Sequence, residues 1–135
     1  MTVRVARRYV FSAAHRLHTP KLSDAQNREV YGKCNNPFGH GHNYEVVVVV
    51  SGPVDAVTGR AVDLARLDEL AEEQFLRQFR YRDLNVELPF IPTTENLAFE
   101  IERRLRAAWP ADFPVLDKIR ILETDRNICE AGHGL

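Results

Sequence analysis

A chain of 135 residues with 44% apolar and 27% charged side chains has the make-up of one domain (residues 1–135), long enough to bury about two-thirds of its unfolded surface without disulfides. Its 18 basic and 19 acidic side chains leave a net charge of −1, which removes the electrostatic basis for binding nucleic acid or an anionic membrane surface. No apolar run approaches the roughly 20 residues of a membrane helix, and Arg4, Arg7 and Arg8 are not followed by the apolar core of a signal peptide, so a cytoplasmic location with Cys34 and Cys129 as free thiols is expected.

Residues 3–15 alternate, with Val3, Val5, Tyr9, Phe11, Ala13 and His15 on one parity and Arg4, Arg8 and Ser12 on the other. This is the period of a half-buried strand, with His15 inward near its end. Over residues 16–36 the period disappears among polar and turn residues, which predicts a long ordered loop with room for one helical turn; connections of that length usually carry function. HNYEVVVVVS (42–51) is the strongest strand signal, because consecutive β-branched valines lose little by being extended. Gly52-Pro53 ends it, and residues 55–59 supply turn chemistry. Leu64, Leu67, Leu70, Ala71, Phe75 and Phe79 recur at helical spacing. A second helix is predicted over 95–109 on Leu97, Ile101, Leu105 and Ala108, with Thr93 or Thr94 as N-cap and Pro110 and Pro114 beyond its end. Strands over 115–124 and 128–131 complete the chain. Strands first, helices in the middle and strands last predict an α+β fold, an antiparallel sheet with both helices on one face. Its uncovered face and edges point to a homo-oligomer.

His40 and His42 are one residue apart at the mouth of a strand, so their side chains project to the same side and two imidazoles can converge on one ion. His15 becomes a third ligand if the two strands are neighbours. Three imidazoles leave a fourth tetrahedral position open, the arrangement of a catalytic zinc. Cys34 lies six residues before His40. As a fourth ligand it would close the site, as a thiolate it would be a base beside an open metal, and as a buried small side chain it would be inert; spacing alone does not separate these. Cys129, with no histidine nearby in its run, reads as the inert kind.

The segments FSAAHRL (11–17), GKCNNPFGHGHNY (32–44), VDAVTGRAVDL (54–64), TTEN (93–96) and ETDRNI (123–128) together resemble the 6-pyruvoyl-tetrahydropterin synthase family, which includes the 6-carboxy-tetrahydropterin synthases of queuosine biosynthesis. The five residues between Cys34 and His40 look like the biopterin-pathway branch. The resemblance implies the tunnelling fold, a four-stranded antiparallel sheet with two helices, whose trimers close a β-barrel and stack as a hexamer. It implies zinc on His15, His40 and His42, 7,8-dihydroneopterin triphosphate as substrate, Cys34 as general base and Glu123 as the anchor of the pterin edge, with Thr93, Thr94 and Glu95 holding the ring. The structural alternatives for the last three are a helix cap and a favourable first-turn charge.

In one place the chain departs from that family. An Asp-His pair that follows the family's first helix, and that reaches a neighbouring subunit's cysteine, aligns with Arg80 and Tyr81. An arginine beside a thiol would lower its pKa, and Tyr81 could donate a hydrogen bond or act as an acid, but neither matches imidazole as a proton shuttle near neutrality. Asp83 is the nearest carboxylate, while His18 and His133 belong to no motif. Three readings follow: a zinc-dependent lyase forming 6-pyruvoyl-tetrahydropterin; a 6-carboxy-forming or side-chain-cleaving relative; and, outside enzymes, a pterin-binding homologue without synthase activity. A closed structural metal site, with Cys34 as its fourth ligand, is a weaker fourth.

Overall fold

The computed structural model describes residues 1–132, so His133 lies outside the described residues. Its elements are β1 (Thr2–His15), α1 (Asp24–Tyr31), a 3-10 turn (Gly32–Asn35), β2 (His40–Pro53), α2 (residues 64–79), α3 (Leu84–Glu87), α4 (Thr94–Ala108), β3 (Val115–Leu122) and β4 (Ile128–Gly132). The four strands form one antiparallel sheet in the order β1-β2-β3-β4. β1 and β2 pair from Thr2 opposite Pro53 to His15 opposite His40, so the strand alternation that buries the core also delivers three histidines to one end of the sheet.

The inward parity packs under the helices. Phe11 stacks on Tyr44 at 5.2 Å, and Val46, Val48, Ile119 and Ile121 are buried with Leu67, Phe75 and Phe79 of α2 and Leu97, Ile101 and Leu105 of α4 in one core. The opposite face is mixed: Arg8 pairs with Glu45 at 2.6 Å and Arg120 with Glu130 at 3.2 Å, and the strand register sets Val10, Val47, Val49, Leu122 and Ile128 beside them. Its apolar members and the two edge strands, β1 and β4, both leave the sheet with surface for a partner.

Several elements differ from expectation. Within 16–36 the chain forms the eight-residue helix α1 and the 3-10 turn rather than a single helical turn. A capping box begins α1, with the Ser23 hydroxyl accepting from Gln26 N–H at 3.1 Å and Gln26 Oε1 accepting from Ser23 N–H at 2.8 Å. The helix buries only Asn27, so it has no apolar stripe for periodicity to register, although its Ser-x-x-Gln signature is there to be read. α2 contains a π-helical stretch, Glu72–Leu76, before its last turn. β2 starts at His40, two residues earlier than its valine run indicates.

Candidate metal centre

His15 is buried at the end of β1 with 1% of its surface exposed. Its Nδ1 lies 2.9 Å from the Pro92 carbonyl and 3.0 Å from the Tyr44 hydroxyl, so the ring proton sits on Nδ1 and Nε2 presents its lone pair inward. His42 Nε2 is 3.0 Å from His15 Nε2, and Glu123 Oε1 is 2.9 Å from His42 Nε2 and 3.9 Å from His15 Nε2. Cys34 Sγ is 4.0 Å from His42 Nε2. One ligand atom from each of His15, Cys34, His42 and Glu123 lies within 4.8 Å of the others. Two imidazoles, a thiol and a carboxylate therefore share one point. A donor set of this chemistry fits a cation, and the group can hold a metal ion.

Burial pushes the His15 pKa below its ordinary value against the opposing pull of the Pro92 carbonyl and Glu123, and burial lowers His42 likewise against Glu123. Both rings are thus neutral and ready to coordinate near pH 7. Burial, then Glu123, pushes the Cys34 thiol up, so without a metal it keeps its proton. The sign for stability follows from the histidines. In the unfolded chain they take up protons near pH 6.5, but the folded rings do so only at lower pH, so acid favours the unfolded state across that window. The metal-free protein is expected to unfold at lower urea at pH 5 than at pH 7; equal midpoints in a chelator would mean that both rings titrate normally in the fold.

The other sequence candidates fall in different places. His40 is half-buried, with its ring edge-on to His42 at 4.5 Å between centroids, beside the four-residue group rather than within it. Thr93 is the N-cap of α4, its Oγ1 accepting from Asn96 N–H at 3.1 Å, which frees the Thr94 hydroxyl to donate to Glu123 Oε2. Glu95 lies apart from that contact and lines a small cleft with Arg126 and Cys129. Arg80 is held in a two-pronged pair with Glu72 at 2.8 Å for each prong, so within this chain its charge is spent away from the Cys34 thiol, whose pKa is raised and not lowered. Tyr81 is 82% exposed in the left-handed region (φ 58°), with its N–H donating to the Ser12 carbonyl at 2.7 Å. It borders a cavity of about 520 Å³ shared with Ser12, His42 and Asn43, not with Cys34. Asp83 caps α3, accepting from Asn85 N–H at 3.0 Å. Cys129 is half-buried against the core, with its thiol pKa raised by burial. The residues that sequence reading missed are the orienters Tyr44 and the Pro92 carbonyl; Tyr44 shares the parity of His40 and His42 and so was findable, whereas Pro92 was not.

Fold and site together define an α+β domain with a histidine, cysteine and carboxylate centre at one end of an antiparallel sheet. The sequence profile described as 6-pyruvoyl tetrahydropterin synthase matches residues 4–133, and the chain belongs to that family. It is 48% identical over 122 residues to the 6-pyruvoyl tetrahydrobiopterin synthase of Poecilia reticulata, covering 87% of this chain and 82% of that one. The Homo sapiens protein of the same name is 44% identical over 128 residues, covering 92% and 87%. The solved structure of the Caenorhabditis elegans 6-pyruvoyl tetrahydropterin synthase superposes with a TM-score of 0.88 at 39% identity, covering 99% of this chain and 97% of that one. No helix among the described residues is long and apolar enough to cross a membrane.

Proposed function

We propose that the protein is a zinc-dependent carbon–oxygen lyase that eliminates triphosphate from 7,8-dihydroneopterin triphosphate to give 6-pyruvoyl-tetrahydropterin. The observation that carries this reading is the convergence of His15, Cys34, His42 and Glu123 within 4.8 Å in a chain of the synthase family. A catalytically silent pterin binder would need Glu123 and Thr94 but not a thiol and two imidazoles at the same point.

In this reading zinc is held by His15 and His42 with His40 beside them, and when bound it polarises the hydroxyls of the substrate side chain and acidifies the adjoining C–H bonds. Cys34, as thiolate, takes the side-chain proton, and the triphosphate departs with the electron pair of its C–O bond. Glu123 accepts paired N–H bonds from the pterin edge, and Thr94, by donating to Oε2, fixes the carboxylate's orientation. Tyr81 serves the site of a neighbouring copy in a trimer or hexamer. Its exposure and the position of β1 at the edge of the sheet support that role.

The test is incubation of zinc-loaded protein with 7,8-dihydroneopterin triphosphate and identification of the products by mass. Free triphosphate with a product of 6-pyruvoyl-tetrahydropterin mass is expected. A 6-carboxy or side-chain-cleaved pterin would assign the other branch, and intact but bound substrate would make the protein a binder.

A further inference from the structure

Next to the metal centre is a second cavity, of about 480 Å³, whose lining includes Arg16, His18, Arg28, Lys33 and His40, with Asp24 as its one acidic side chain. Its cations are unspent. Arg7, Arg66, Arg80 and Arg104 each meet a carboxylate at 2.9 Å or less, whereas Arg16, Arg28 and Lys33 pair with none among the described residues.

The walls are also built in advance. The buried Asn35 donates from Nδ2 to the Leu17 carbonyl at 2.7 Å and to His18 Nδ1 at 3.0 Å, while its own carbonyl accepts from Arg16 Nε at 3.3 Å. His18 therefore keeps its remaining donor, Nε2–H, available. Leu17 N–H donates to the Cys34 carbonyl at 2.6 Å, tying the Arg16 wall to the turn that carries Lys33 and Cys34. Arg28 comes from the last turn of α1, the helix whose capping box fixes where it starts. Three cationic side chains gathered around the single carboxylate of Asp24 are a standing electrostatic cost that a polyanion would relieve.

Contact by contact, Glu123 touches His42, the His42 ring lies 4.5 Å from that of His40, and His40 lines this cavity. A dihydroneopterin triphosphate has its groups in the same order, with the pterin ring first, the hydroxylated side chain next and the triphosphate last. We propose that this cavity is the triphosphate subsite, with Arg16, Arg28 and Lys33 as its charge contacts and the source of discrimination between a pterin carrying a triphosphate and one without it. The inference rests on the pterin reading above and extends it to residues outside the metal centre.

The experiment uses the zinc-loaded protein and two fluorescent, fully oxidised probes with the same ring, neopterin and neopterin triphosphate, each titrated against wild type and against Arg28→Ala/Lys33→Ala. Both substituted positions are exposed. Wild type is expected to prefer the triphosphate by at least about tenfold, and the double variant to lose most of that preference while binding neopterin unchanged, since each charge-assisted bond lost is worth roughly tenfold. Raising salt should reduce the wild-type preference and leave neopterin affinity alone. Wild type that binds both probes equally, or a double variant that keeps the full preference, overturns the subsite and leaves the pterin reading standing. Wild type that binds neither probe overturns the pterin reading and the subsite with it.

Discussion

Replacing Cys34 with alanine is expected to lower turnover of dihydroneopterin triphosphate by about 10² to 10⁴, the usual contribution of a positioned base, with the metal content unchanged. The thiol is 4.0 Å from His42 Nε2, close enough to feel a bound cation, and in the metal-free chain burial and Glu123 raise its pKa. A metal ion at the cluster would oppose both influences and favour the thiolate. Alkylation by iodoacetamide should therefore be slow in chelator at neutral pH, speed up only as pH rises past the ordinary thiol range, and shift to lower pH when zinc is added. The outcome also separates two architectures. If Cys34 instead closes a structural site, zinc would protect it from alkylation at every pH, and Cys34→Ala would lose metal and fold together.

Metal content should respond in the opposite way to His42→Ala. His42 Nε2 is the atom nearest to all the others in the cluster, at 3.0 Å from His15 and 2.9 Å from Glu123, so its removal is expected to weaken zinc binding by more than about 100-fold, exceeding the loss typical of an outer partner. Tyr44→Phe provides the scale. It removes the hydroxyl 3.0 Å from His15 Nδ1 but leaves the Pro92 carbonyl to hold that proton, and should cost about tenfold or less. His40→Ala then measures whether the third imidazole, edge-on to His42, is a ligand. Zinc retained at full occupancy in His42→Ala after dialysis against chelator would remove the histidine assignment altogether, provided that the melting behaviour shows a folded chain. His42 sits near one end of the long β1–β2 ladder, where alanine keeps the backbone pairing with Ala13, so the fold should survive the change.

The chain's own chemistry sets out the strands, the two long helices and the directions in which the three histidines project, because each rests on a short-range rule. Alternation at 3–15 places His15 inward, the one-residue spacing of His40 and His42 puts both on one side, and the 3.6 period marks α2 and α4. α1 escaped that logic because it packs almost nothing, so its evidence lay in the cap rather than in a stripe. What only the tertiary structure decides are the meetings between distant segments. The β1–β2 register brings His15 to the histidine pair, while the bend after β3 brings Glu123 to His42 and Thr94. The Pro92 carbonyl, far along the chain, selects the His15 tautomer. The pairing of Arg80 with Glu72 is likewise a product of packing. Side-chain direction along a strand follows from covalent geometry and is local, whereas the partner of a charge or a ring nitrogen depends on which loops close over it, and that is settled by burial across the whole domain.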